Sequence, residues 1–223
     1  MIKTLVVLSG GMDSTALLHL AIHEEGARNV GAVSFNYGQK HGVELVYASE
    51  YCASMSIPHE VVDISLLKGT LSNSALTGDF DVPEGHYEDE NMKVTVVPNR
   101  NMILLAIAAG KAINDGYERI GYAAHKGDHA IYPDCREEFA AAMKECLRLC
   151  HYDDGIELWR PFIDFRKEDI ASLGTGLGVD WTMTWSCYNG RDLHCGKCAT
   201  CGERKEAFAI SNLVDPTEYE DED

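Results

Sequence analysis

Close to its start the chain carries Ser9-Gly10-Gly11-Met12-Asp13-Ser14, two glycines bracketed by hydroxyl and carboxylate side chains. Glycine lets a backbone turn sharply and bring its N–H groups against phosphate oxygens, and the two serines add donors. The apolar residues before this run read as a strand and those after it as a helix, whose positive N-terminal end favours a bound anion. Asp13 or Ser14 can cap that helix. A loop built to pass on a γ-phosphate follows its glycines with lysine and then serine or threonine. Met12-Asp13 stands there instead, which excludes the kinase and switch designs. A bare Gly-Gly turn needs no ligand at all, but the complete run in this position points to nucleotide binding.

A second cluster lies towards the other end. "CYNGRDLHCGKCATC" sets Cys187, Cys195, Cys198 and Cys201 in a C-x7-C-x2-C-x2-C array. Two-residue gaps let sulfurs converge on one ion at about 2.3 Å, the arrangement of a structural zinc site. Four thiolates on Zn²⁺ leave a negative charge, and Arg191, Lys197, Arg204 and Lys205 outnumber Asp192 and Glu203 around them. Iron–sulfur runs share the C-x2-C-x2-C core, and Cys195 with Cys198 could form a redox pair. Zinc is the expected occupant, with His194 a bystander. Cys52, Cys146 and Cys150 read as buried core sulfur. His19 and His23 read as a solvated helix face. Trp181 and Trp185 are expected to pack the cysteine knob onto the rest of the chain.

Three further segments concentrate polar chemistry. "FNYGQKH", with Tyr37 and Gln39, closes the second strand, where an open α/β sheet binds ligands beyond its carboxyl edge. "VPNRN" puts Arg100 and Asn101 at a helix start, a corner suited to anions. "AHKGDHAIYPDCR" crowds His125, Lys126, Asp128, His129, Asp134 and Arg136 into one connection. A solvated loop in which Pro133 and Asp134 merely start the next helix explains the last segment equally well. Arg100, Lys126 and Arg136 all fall at expected strand ends and would supply the local cations that a bound nucleotide requires.

The elements that must position these groups alternate. Strands are expected at Ile2–Leu8, Val30–Phe35, His59–Ile64 and Arg119–Ala123. Helices are expected at Ser14–Glu25, Val43–Met55, Asn101–Asn114, Cys135–Cys150 and Lys167–Leu173. That order implies βαβ units and a parallel sheet. Two stretches break it: the acidic span Ser65–Lys93, expected to be disordered or an interface arm, and the tail "DPTEYEDED", expected to be frayed. At 223 residues, 45% hydrophobic and 25% charged, the chain suits one substantial domain with small attachments. A formal charge of -17 repels nucleic-acid phosphates, which argues against a large DNA or tRNA footprint. The apolar run at Leu5–Leu8 is too short for a signal peptide, and no stretch is long enough to span a membrane. Eight cysteines, half of them clustered, fit metal ligation in a reducing cytoplasm.

The loop and its flanks, Leu8-Ser9-Gly10-Gly11-Met12-Asp13-Ser14-Thr15-Ala16-Leu17-Leu18, resemble the pyrophosphate (PP) loop of the N-type ATP pyrophosphatases, which split ATP between its α and β phosphates. Taken in order, "LSGGMDST", "FNYGQKH", "VPNRN", "YPDCR" and "TWSCYNG…CGKCATC" resemble the 7-cyano-7-deazaguanine synthase (QueC) family from Leu8 to about Phe208. The segment before Tyr-Pro-Asp-Cys-Arg departs from some relatives. The resemblance implies an α/β fold: a doubly wound, mostly parallel, Rossmann-like sheet of the adenine nucleotide alpha hydrolase type. It implies a PP-loop domain at 1–180, a zinc knuckle with a following helix at 181–211 and an acidic tail at 212–223. The implied activity is that of an AMP-forming carbon–nitrogen ligase. It takes 7-carboxy-7-deazaguanine, ammonia and ATP to the nitrile preQ0 through an adenylated acid and amide, for queuosine or archaeosine. Carried over residue by residue, Leu8 to Leu18 would hold ATP, and Asp13, Ser14, Arg100 and Arg136 would be catalytic, with Mg²⁺ near Asp13. Tyr37, Gln39, Asn101 and Asp134 would contact the deazaguanine, and the four cysteines would hold one structural zinc. A cytoplasmic homodimer without nucleic-acid or membrane partners is expected. Rival readings are a relative that stops at the amide or conjugates the activated base, a tRNA-thiolating enzyme, and a non-catalytic zinc module.

Overall fold

The computed structural model describes residues 2–78, 81–85, 89–152 and 155–220. Five strands form one parallel sheet: β1 (Thr4–Val7), β2 (Val30–Asn36), β3 (His59–Asp63), β4 (Arg119–Gly121) and β5 (Glu157–Trp159), in the order β3-β2-β1-β4-β5. Six helices accompany them: α1 (Met12–Glu25), α2 (Val43–Ser54), α3 (Arg100–Asp115), α4 (Glu137–Arg148), α5 (Lys167–Gly176) and α6 (Ala199–Ile210). Side chains alternate across a strand, so β1 sends Leu5 and Val7 to one face and Val6 and Leu8 to the other. The first face is covered by α3 and α4 through Leu105, Ala108, Met143 and Leu147. The second is covered by α1, α2, α5 and α6 through Leu17, Leu18, Ala48, Ile170 and Phe208. With both faces covered, β1 has no polar side and reads as a continuous apolar run.

This strand order places a switch point between β1 and β4. The chain moves outward from β1 to β3, then returns to lay β4 on β1's other side. The connections leaving β1 and β4 therefore diverge above the carboxyl ends of the strands, where open α/β sheets form their ligand crevice.

Several expectations need correction. β5 was not anticipated because three residues with one fully buried side chain, Leu158, give too little periodicity. Helix α1 starts at Met12 rather than Ser14; Gly11 is its N-cap, with no side-chain cap, so Asp13 and Ser14 fall in the first turn. Residues 65–78 and 89–95 are not disordered. They bury Leu71, Leu76 and Met92 in the core beside α3, and a backbone bond joins Ala75 N–H to Val94 O at 2.7 Å. Asp79 and Glu88 of that acidic span lie outside the described residues. The tail is not frayed as far as Glu220: Glu220 N–H donates to His194 O at 2.8 Å, and the Tyr219 hydroxyl donates to Asp215. Residues 221–223 lie outside the described part. Cys52 is buried, but Cys146 and Cys150 are exposed because α4 turns Ala140, Met143 and Leu147 inward instead. His19 is buried as well; its Nε2 lies 2.8 Å from the Tyr51 hydroxyl and its Nδ1 3.2 Å from Leu177 O. No helix among the described residues is long and apolar enough to cross a membrane.

Candidate active site

The glycine run forms a tight loop whose shape is fixed by its own side chains. Gly10 adopts φ +87°, a left-handed conformation that favours glycine, and a Cβ there would fall 2.4 Å from the Glu44 carbonyl oxygen. Ser14 Oγ accepts from Ser9 N–H at 3.1 Å and lies 3.0 Å from Ser9 Oγ, while Gly11 N–H donates to Ser9 Oγ at 3.3 Å. Hydroxyls and amide protons thus gather at the N-terminus of α1, where the helix end attracts anions. From the other side, Trp185 N–H donates to Gly10 O at 2.9 Å and ties the loop to the cysteine segment.

The loop opens into a cavity of about 230 Å³ above the switch point. Ser9, Gly11, Met12, Asp13 and Ser14 form its floor; Tyr37, His41 and Glu44 come from the β2 connection, and Arg100 and Asn101 from the start of α3. Tyr122, Asp128, Tyr132 and Cys135 line it from the β4 connection, Lys167 from α5, and Trp185, Ser186 and Tyr188 from the cysteine segment. Its cations come from different elements. Lys167 Nζ sits 2.7 Å from Asp13 Oδ2 and 3.3 Å from Glu203 Oε2, with His125 Nε2 at 3.4 Å. Burial alone would raise the Asp13 carboxyl, but Lys167 and His125 together outweigh it and hold the group below the ordinary carboxylate value. Glu203 goes the other way, because burial outweighs Lys167 and pushes it up. Lys167 is raised: burial opposes its charge, yet Asp13, Glu203 and Asp128 more than compensate. Arg100 lies over the Tyr37 ring, 5.9 Å from its centre, and burial pushes the Tyr37 phenol up to about 12.

The structure separates the expected site residues. Leu8, Ser9, Gly11, Met12, Asp13, Ser14, Tyr37, Arg100 and Asn101 reach the cavity wall. Ala16, Leu17 and Leu18 are core residues under the loop, and Thr15 is buried beside them. Gln39 does not line the cavity. Its amide donates to Phe35 O and Glu44 Oε1 and accepts from Tyr37 N–H, fixing the turn after β2. Asp134 is also outside the wall; its Oδ2 accepts from Asn101 N–H at 3.1 Å, which holds the first turn of α3. Arg136 is exposed and its Nε donates to His129 O at 2.8 Å, so it does not face the cavity. Lys126 is exposed on the wall of a neighbouring cavity instead. Lys167, His41, Glu44 and Tyr188 were missed. Lys167 stands in "DFRKED", which reads as an ordinary solvated helix start, and nothing local marks it.

The four cysteines converge as their spacing requires. All four are buried, and their sulfurs lie within 4.8 Å of one another, with Cys198 to Cys201 at 3.5 Å and Cys198 to Cys187 at 4.0 Å. Sulfurs about 2.3 Å from one tetrahedral ion sit roughly 3.8 Å apart, so a single ion fits, whereas a four-iron cube needs its thiolates spread more widely. Backbone N–H groups of Asn189 and Cys195 donate to Cys187 Sγ, both at 3.4 Å, as thiolate ligands prefer. His194 is not among these ligands; its ring packs on Trp185 at 4.2 Å and its Nε2 accepts from Ser186 N–H at 3.0 Å. Below the cluster, fully buried Arg204 donates to Asp215, Thr184, Ser186 and Trp181 O, so it is a structural hub rather than a diffuse counter-charge. Trp181 packs on Phe208 and Trp185 on Tyr47, which seats the knob on the sheet domain as expected.

Comparison with known proteins adds to this geometry. Solved structures that share the fold include an NH3-dependent NAD synthetase from Campylobacter jejuni, with a TM-score of 0.50 and 16% identity over 81% of this chain and 66% of that one. A protein from Methanocaldococcus jannaschii described as a predicted subunit of tRNA methyltransferase gives a TM-score of 0.52 and 14% identity over 78% and 75%. At these identities they speak for architecture alone. Among full-length relatives, 7-cyano-7-deazaguanine synthase of Pseudoalteromonas translucida is 49% identical over 98% of this chain and 99% of its own. The Marinobacter nauticus protein of the same name is 52% identical over 98% and 97%. The family model described as queuosine biosynthesis protein QueC matches residues 3–212, and with this match the chain belongs to the QueC family.

Proposed function

We propose that the chain is an AMP-forming ligase that converts 7-carboxy-7-deazaguanine and ammonia into 7-cyano-7-deazaguanine, spending ATP twice. The observation that carries this reading is the convergence of the loop donors, Lys167 and Arg100 on one cavity above the switch point. The Ser9 and Ser14 hydroxyls and the first amides of α1 hold the β and γ phosphates of ATP. They remain on pyrophosphate as it leaves. The substrate carboxylate attacks the α phosphorus, and ammonia then displaces AMP to give the amide. Adenylation of the amide oxygen repeats the first step and allows AMP to depart a second time, leaving the nitrile.

No side chain needs to act as nucleophile, so catalysis is positioning and charge stabilisation. Arg100 and Lys167 offset charge gathering around the α phosphorus. Asp13 Oδ1 is buried without a hydrogen-bond partner, which fits a group waiting for a cation. It would hold the Mg²⁺ that travels with ATP, an ion that neutralises phosphate charge. The cysteines would hold zinc, a closed structural ion that stiffens the wall carrying Trp185 and Tyr188. A homodimer in the cytoplasm completes the proposal. The test is direct: purified chain with the carboxy-deazaguanine, ATP and ammonium should yield the nitrile by mass spectrometry, with AMP and pyrophosphate. ADP and orthophosphate would overturn the reading; a final amide would move it to an enzyme that stops halfway.

A further inference from the structure

The cavity wall contains an imidazole that the steps above leave unused. The His41 side chain is only 5% exposed, and its Nδ1 is buried with no hydrogen-bond partner. Its other nitrogen, Nε2, lies 3.4 Å from Glu44 Oε2. That carboxylate is held in turn: Glu44 Oε1 accepts from Gln39 Nε2 at 2.9 Å, and Gln39 is itself fixed by Phe35 O and Tyr37 N–H. A carboxylate beside one ring nitrogen keeps the proton there and leaves the lone pair on the other. Glu44 therefore selects the tautomer whose free lone pair is on Nδ1. Burial also lowers the His41 pKa and favours the neutral ring.

The ring is fixed in place. Tyr188 packs against it with centres 5.4 Å apart, and a Cβ on Gly190 would approach His41 Cα to 2.8 Å, so the cysteine segment closes over it. The same short helix turn abuts the phosphate loop, since Gly10 lies directly against the Glu44 carbonyl. His41 thus lines the same cavity as the phosphate-holding loop, with its ring held in the base-plus-orienter arrangement that general-base catalysis uses.

This inference rests on the function proposed above. Turning an amide into a nitrile removes both hydrogens from nitrogen. Attack of the amide oxygen on the α phosphorus expels pyrophosphate and leaves a protonated O-adenylyl imidate. Loss of one N–H proton gives the neutral imidate. Loss of the second accompanies formation of the third C–N bond and cleavage of C–O, with the electron pair leaving on AMP. Ammonia attacking an acyl adenylate makes a weaker demand, because the neutral nucleophile needs no prior deprotonation and its proton is lost from a strongly acidic ammonium. We propose that His41, oriented by Glu44, is the base that accepts the imidate N–H proton at Nδ1 as the nitrile forms. The resulting imidazolium is stabilised by Glu44 and returns its proton to water when product leaves.

The two halves can be assayed separately with the full chain, metal retained, using the carboxy- and the carboxamido-deazaguanine as substrates. His41→Gln should lower kcat for amide to nitrile by about a hundredfold to ten-thousandfold, with KM for the amide little changed. The acid half should fall less than about tenfold, so that amide accumulates. Glu44→Gln should shift the partition in the same direction, more weakly, and it decides the matter if His41→Gln does not fold. Equal loss in both halves, a raised KM with kcat kept, or an unshifted partition in Glu44→Gln would overturn the assignment. A wild-type chain that releases no AMP with either substrate would instead sink the proposed function, and this role with it.

Discussion

Replacing Lys167 with methionine tests how so acidic a chain can keep ATP. The Lys167, Asp13 and Glu203 side chains are 14%, 24% and 11% exposed, so solvent screens none of them fully. At an effective dielectric near 20, a unit pair about 3 Å apart attracts by roughly 5 kcal/mol. Lys167 makes two such contacts, at 2.7 and 3.3 Å, and they offset the burial of three charges. Methionine fills similar space but leaves the two carboxylates together without the lysine's charge, with only the His125 ring beside Asp13. Breaking a buried pair in this way costs about 3–5 kcal/mol of stability. The loss is reduced by whatever Glu203 regains on taking up a proton, and it does so first because burial has already raised it. The phosphates also lose a charged donor worth about 1.5–3 kcal/mol, roughly a ten- to hundredfold fall in kcat/KM for AMP release. Urea unfolding and chromatographic AMP assays read the two effects. Adding Glu203→Gln to Lys167→Met should restore part of the stability, since one stranded charge is gone, but none of the AMP release. If Lys167→Met unfolds at the wild-type denaturant concentration and releases AMP within about threefold of wild type, the reasoning fails.

Other outcomes follow from the same geometry. Arg100→Ala should cut AMP release by about a hundredfold, whereas exposed Arg136→Ala should stay within a few-fold; a reversed order would restore Arg136 to the site. Gly10→Ala places a Cβ 2.4 Å from Glu44 O at φ +87° and should cost about 2 kcal/mol or more, lowering Tm by roughly 5 °C or more in a melting experiment. Elemental analysis should find one zinc per chain, lost together with AMP release in Cys198→Ser; a brown, iron-bearing protein would overturn the zinc assignment. Burial depresses the pKa of His19, His41 and His59 below 6.5, so the unfolded chain takes up their protons first as pH falls. The stability gained by keeping them neutral is full above about pH 6.5 and declines below it. The urea midpoint should therefore be lower at about pH 5.5 than at about pH 7.5, and His19→Gln should narrow the gap.

The sheet was legible because its central strands are apolar on both sides and the helices between them repeat apolar residues at helical spacing. β5 escaped because a three-residue edge strand has no period to detect. The span at 65–78 and 89–95 misled because its many carboxylates hide Leu71, Leu76 and Met92, three side chains sufficient to dock it on α3. The phosphate loop and the cysteine cluster were visible because each is contiguous, and spacing alone brings its groups together. Arg100 and Asn101 stood out at a helix start. Lys167 did not, because what gives it meaning is Asp13, 154 positions earlier in the chain. His41 lay in a segment already singled out, but its unpaired nitrogen and its carboxylate partner exist only once α2 has begun.

The cysteine knob and the phosphate loop are mechanically one object, and this sets what loss of a metal from the four cysteines would mean. Cys187 follows Trp185 by two residues; the indole N–H donates to Cys187 O, and the Trp185 backbone N–H donates to Gly10 O. Tyr188, one residue beyond the same ligand, packs on His41 and reaches Tyr132 across the cavity. Arg204 then clamps Trp181, Thr184 and Ser186 from below. A loosened Cys187 would withdraw the acceptor that fixes the Trp185 ring, the hydrogen bond on the glycine turn and the ring that backs the imidazole. An ion on the four cysteines would not need to touch a reacting atom to be required. Bound there, it would hold one wall at the distance at which the loop donors and the oriented imidazole can serve a single substrate, and a wall displaced by about an ångström is enough to lose that alignment.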